Sequence, residues 1–150
     1  MSPSQFPIAA ARGALDAGRG AVAATLLASL AGEALAACAD MGMAARIALV
    51  VLGSLAGLRA LWLLARIEID RRLFAALERA ADEAGEAGEA AALARLDETL
   101  LALRWIDAGR AGRPLALRVQ GAVGLLRQAM IVAFAQWGVL GIAVALGVWQ

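Results

Sequence analysis

Four side chains stand where a hydrocarbon environment tolerates them least. Glu33, Arg46, Arg59 and Gln136 all fall in or at the edge of long apolar stretches. A carboxylate inside a membrane span is a candidate proton-carrying group, and a buried arginine is its natural counter-ion. Arg59 is the sharpest case. It is the thirteenth residue of "IALVVLGSLAGLRALWLLAR" (47–66), which is otherwise apolar up to Arg66 and long enough to cross a bilayer.

Depth decides what each group can meet. Arg59 lies seven residues from Arg66, and Gln136 lies nine residues from Arg127 on a helix running the other way. An offset of two residues is about 3 Å of helical rise, so an Arg59–Gln136 hydrogen bond is within reach. Snorkelling competes and is the leading reading: the side chain can lie along its helix toward the headgroups. In a hairpin centred near residues 41–42, Glu33 falls level with Val50. Arg46 is then about 6 Å away, close enough for an interfacial salt bridge.

The elements that would hold these residues follow from hydropathy. The chain has 150 residues, 62% hydrophobic, with a mean hydropathy of +0.73, above the ~45–50% apolar content of a soluble domain. The stretch "QAMIVAFAQWGVLGIAVALGVWQ" (128–150) has no ionisable side chain. We expect an all-α integral membrane protein with two to three transmembrane helices and a cytoplasmic helical stalk between the last two. Residues 1–19 read as a loose tail or a short surface helix. A membrane hairpin follows over 20–66, a stalk over 67–128 and a final span over 129–150.

The first span, "GAVAATLLASLAGEALAAC" (20–38), is the weak one, because few of its residues are large and apolar and it includes Glu33. An acidic residue in a span costs about 2–3 kcal/mol on insertion scales. It therefore needs packing on the next helix. There Gly53 and Gly57 have the small-xxx-small spacing that lets backbones approach, although a chain with 16 glycines makes such matches common.

Past Arg66 the 3–4 apolar spacing continues through Ile69, Leu73, Leu77 and Ala80, with Glu68 and Arg72 as an i,i+4 pair on the polar side. The run "EAGEAGEA" (83–90) reads as a helix break. A second amphipathic helix then carries Leu93, Leu96, Leu100 and Leu103, and Pro114 is placed to open the last helix. Residues 66–127 hold ten Arg and ten Asp or Glu, a balance that suits a solvated, ion-paired surface. The connector at 39–45 has no Arg, so the positive-inside rule puts the stalk in the cytoplasm and the C-terminus outside. Trp62 and Trp149 suit the two interfaces, and Trp105 is a candidate partner contact if exposed.

Absences narrow the function. The chain has no His, Lys or Tyr and a single cysteine, Cys38. We expect no metal site, no cofactor and no catalytic residue, hence no enzyme, because the ligand sets and acid–base groups are missing. A net charge of +1 gives no case for nucleic acid. "LAAC" (35–38) resembles the lipobox of bacterial lipoprotein signal peptides, but Glu33 interrupts its apolar part.

By subtraction, the leading expectation is an accessory, assembly or scaffold subunit of a larger complex, sited in the bacterial inner membrane. Its partners would be lipids and other membrane subunits, or a second copy of itself. The alternative is a homo-oligomeric transporter or pore subunit with Glu33, Arg59 and Gln136 lining a path. The two part on whether those three residues face one cavity.

Overall fold

A computed structural model describes residues 5–102, 104, 109 and 111–148. The described residues form an all-α helical bundle with no strand, built on three long helices: α1 (Gln5–Cys38), α2 (Met43–Ala102) and α3 (Leu115–Val148). All three are long and apolar enough to cross a membrane.

The chain divides into two compact units. The first, the polar unit, comprises residues 1–16 and 68–124. The second, the apolar unit, comprises residues 17–67 and 125–150.

In the apolar unit the α1 side of the core is made mostly of small residues. On α1 the buried positions include Gly18, Val22, Thr25, Ser29, Gly32 and Ala36. Their spacing of alternating fours and threes is a heptad seam. Gly53, Ala60, Leu63 and Ile67 on α2 follow the same heptad pattern, and Leu125, Ala129, Ala133 and Gln136 on α3 face it at spacings of three and four. Small seams let helices approach closely. A Cβ on Gly18 would lie 3.0 Å from Ile67 Cδ1 and 3.8 Å from the Leu126 backbone, so three helices converge at that glycine.

This packing accounts for the small side chains of residues 20–38. The most apolar stretch of α1 is 39% buried, against 22% for α2 and 17% for α3. α1 is the covered helix and needs few large apolar side chains of its own. The exposed ones are carried mainly by α2, from Ile47 to Trp62, and by α3, from Met130 to Val144.

The polar unit buries Ile8, Ala11 and Leu15 of α1, Phe74 and Leu77 of α2, and Ala122 of α3. Its surface carries ion pairs: Arg12 with Glu78 across two helices, and Glu68 with Arg71 and Arg72 along one.

Two boundaries differ from the sequence reading. Residues 5–19 are not a tail but the opening turns of α1. Pro7 sits in the first turn, where no intrahelical N–H bond is lost. The run 83–90 does not break the chain either, because α2 is one helix of 60 residues. Two glycines cost about 1 kcal/mol each in a helix interior, and the Ala and Glu between them are strong helix formers. The helix ends instead at Ala102, after which Arg104 takes φ 56° and its N–H donates to the Leu101 carbonyl at 3.0 Å, a left-handed cap. The connector lies where expected, between Cys38 and Met43. α3 opens directly after Pro114, whose carbonyl accepts from Leu117 at 3.0 Å. Leu103, Trp105 and Trp149 lie outside the described residues.

Candidate functional site

Three polar places in the apolar unit account for the candidate residues, and each is set by the helix that carries it.

The first is the glycine face of α2. Gly53 is buried, and a Cβ there would lie 3.6 Å from the Ser29 carbonyl and 3.7 Å from Gln136 Nε2. Gly57 faces Ser29 as well, with Oγ 3.9 Å from its would-be Cβ. Gly53 thus stands where α1, α2 and α3 meet, and Gln136 is one wall of that place. Gln136 is 3% exposed and Ser29 is 5% exposed. Neither the Gln136 Nε2 nor the Ser29 Oγ has a hydrogen-bond partner. Thr25, one turn earlier, is satisfied by the Ala21 carbonyl of its own helix at 3.0 Å, a common resting place for a hydroxyl in apolar surroundings.

The second is Arg59. Its Nη2 donates to Gln128 Oε1 at 2.8 Å, and its guanidinium carbon sits 4.5 Å from the centre of the Trp62 ring. Arg66 approaches the same ring at 5.5 Å. Trp62 is therefore flanked by two cations, an arrangement in which the ring's negative face offsets charge. Arg59 does not reach Gln136. Gln136 instead packs on Gly53, six residues before Arg59 and about 9 Å along the helix. The partner is Gln128, toward the Arg66 end, which is the direction snorkelling would take.

The third is a groove at the connector end, lined by Glu33, Ala36, Ala37, Arg46, Ile47, Val50 and Val51, with a volume of about 320 Å³. The hairpin register is close to the expected one: Gly32 meets Leu49 across antiparallel helices, which puts Glu33 level with Ala48, two residues from Val50. The Glu33–Arg46 salt bridge is not formed. Arg46 turns its Nη2 to the Ala39 carbonyl at 3.1 Å, closing the connector, and its Nε is buried with no partner. Glu33 remains exposed on the groove wall. Cys38 is exposed at the end of α1.

The polar unit holds a site the sequence reading passed over. Asp97 is 8% exposed. Its Oδ1 accepts from Arg118 Nη2 at 2.5 Å and its Oδ2 from the Gly112 N–H at 2.7 Å. Burial pushes the Asp97 carboxyl up, but the Arg118 bond, the Gly112 N–H and the Arg118 charge together leave it below its usual value. Gly112 has φ +71°, a conformation glycine adopts without strain. One carboxylate thus ties α2 to the turn ahead of α3 and to the first turns of α3. Asp97 lies between Leu96 and Glu98 in a charged stretch, so composition gave no reason to single it out. Its place next to Leu93, Leu96 and Leu100, all half-buried, was the available signal.

No family model, no curated protein and no solved structure matches this chain.

Proposed function

We propose that the chain is a small integral membrane protein that serves as an accessory, assembly or scaffold subunit. Its apolar unit would lie in lipid, in the inner membrane of a bacterium, and its polar unit in the cytoplasm. The observation that supports this reading is the separation of Glu33, Arg59 and Gln136. A transport path needs polar groups along one water-accessible cavity. Here Gln136 is buried against Gly53, Arg59 is exposed beside Trp62 and Gln128, and Glu33 lies on an open groove at the connector end. Gln136 and Arg59 are met at separate places within the chain and Glu33 at a third, which favours the scaffold reading over a shared path.

What remains on the surface suits attachment. The exposed apolar side chains on α2 and α3 can face lipid or a neighbouring helix, and the ion-paired surface of the polar unit offers a second contact. Mild-detergent purification from the native membrane, with identification of co-migrating chains, tests this function. Stoichiometric company of a defined membrane complex is expected. A chain that migrates alone and conducts ions in liposomes would overturn the scaffold reading in favour of a pore. Orientation is tested separately with a reporter fused near residue 87, expected to be active only on the cytoplasmic side.

A further inference from the structure

The groove at the connector end carries two opposite charges that do not pair with each other. Glu33 is exposed with no bonded partner among the described residues, although it stands in an apolar stretch of α1. Arg46, across the same groove, has a buried Nε with no acceptor. The floor between them is Ala36, Ala37, Ile47, Val50 and Val51. A carboxylate at this depth in lipid is costly unless it is paired.

We propose that the groove seats a second copy of this chain. The two copies stand side by side in one orientation, Glu33 of each against Arg46 of the other. This inference rests on the assembly reading above and names one partner for it.

The case for a second copy is self-complementarity. A twofold contact between parallel copies places the same patch on both sides at the same depth, so a patch with one cation and one anion at nearly one depth pairs with itself. Arg46 lies two residues nearer the connector than the level of Glu33, about 3 Å along the helix, within the span of an arginine side chain. In a parallel pair each Arg46 reaches down to the facing carboxylate, and two ion pairs form around the axis. The outward row of α1 fits the same contact. Ala23, Leu27, Leu30, Ala34 and Ala37 are all exposed and follow alternating fours and threes, a second heptad seam on the face α2 and α3 leave uncovered.

The test uses two full-length variants, Glu33→Arg and Arg46→Glu, with different affinity tags. Each variant alone repeats one sign of charge across the twofold axis, whereas a mixed pair restores both ion pairs. Association is read by co-purification and by native mass spectrometry in mild detergent. The wild-type chain is expected to be dimeric, and each variant alone should lose at least tenfold in dimer. Co-expressed E33R and R46E chains should recover it as the mixed dimer, which also shows that both variants fold. In a Cys38→Ala background, Ala37→Cys should cross-link across the dimer under oxidation.

A monomeric wild type, variants that dimerise alone, or failure of the mixed pair would each overturn the proposal. A wild-type monomer that retains a phospholipid in the groove would do so as well. Where the wild-type monomer still co-purifies with other membrane subunits, the dimer fails and the assembly reading stands; where it co-purifies with nothing, both fail.

Discussion

Asp97 in the polar unit and Ser29 in the apolar unit are buried to similar degrees, 8% and 5% exposed. Both carboxylate oxygens of Asp97 are taken, one by Arg118 and one by the Gly112 N–H. The Ser29 hydroxyl has no partner, and neither has the Nε2 of Gln136 nearby. The polar unit joins its elements through bonds of charged groups; the apolar unit joins them through close approach at glycine and alanine. A charge cannot be left unpaired when water is excluded, whereas a hydroxyl or amide can be tolerated at moderate cost. The contrast teaches which residues hold each unit together, and it can be broken from either side.

The largest effect is expected from Asp97→Ala. It leaves Arg118 without its counter-ion and the Gly112 N–H without an acceptor. Removing one partner of a buried pair costs about 3–5 kcal/mol. Amide exchange in detergent micelles should show protection lost around residues 93–102 and 112–120, with the seam of the apolar unit unchanged. If the whole molecule melts together, or nothing changes, Asp97 is not the local tie described here.

Gly53→Leu comes next and attacks the other unit. A Cβ alone would sit at 3.6 Å from the Ser29 carbonyl, an ordinary contact, but a full leucine has no room where three helices meet. Overpacking of this kind costs about 1–3 kcal/mol. Gly53→Ala should be neutral or slightly stabilising, since alanine gains up to about 1 kcal/mol of helix propensity over glycine. Thermal melts of the two variants in one detergent should therefore move apart. A Gly53→Leu chain as stable as wild type would show that α1 and α3 do not converge on this residue.

A smaller and graded effect is expected from pH, and only in the polar unit. The carboxyl of Asp97 is held below its usual value of 3.8 in the folded state. A depressed carboxylate contributes stability that is fully present above the unfolded value and is lost as pH falls through the folded one. Protection around Asp97 should hold between pH 7 and about pH 5 and weaken below about pH 4. The Ser29–Gly53 contact has no titrating group and should not respond. Loss in both units at the same pH would sink the distinction.

How much of this could be read from residue order depends on what holds each part. The connector was legible, and the hairpin level of Glu33 to within two residues, because a short turn between two long helices leaves little choice of register. The α2–α3 register was legible to about a turn, since Ile67 and Leu126, beside Arg66 and Arg127, meet at Gly18. The partner was not: within one turn several side chains can reach, and Arg59 takes Gln128 while Gln136 packs on Gly53. The long seam of α1 was hidden for a different reason: its positions are Gly18, Thr25, Ser29, Gly32 and Ala36, and a search for leucines passes over them. "EAGEAGEA" was misread because two glycines were weighed above six strong helix formers. Nothing in the order of residues could show that Arg46 would turn to the Ala39 carbonyl and leave Glu33 open.

The smallest effect separates the units by sign. Ser29→Ala removes a buried hydroxyl that has no hydrogen-bond partner. Leaving such a group unsatisfied costs about 1–3 kcal/mol, so its removal should relieve that cost. Against this stands lost packing, because Ser29 Oγ lies 3.9 Å from where a Gly57 Cβ would be, and one missing atom forfeits only a few weak contacts. The net change should lie between zero and about 1 kcal/mol of stabilisation, opposite in sign to Asp97→Ala. A clear loss of stability would mean that the hydroxyl is bonded after all, for instance through a water held between it and Gln136 Nε2. The double variant with Gln136→Leu decides the matter. Additive changes leave the two groups independent, whereas a coupling above about 0.5 kcal/mol joins them in one buried network.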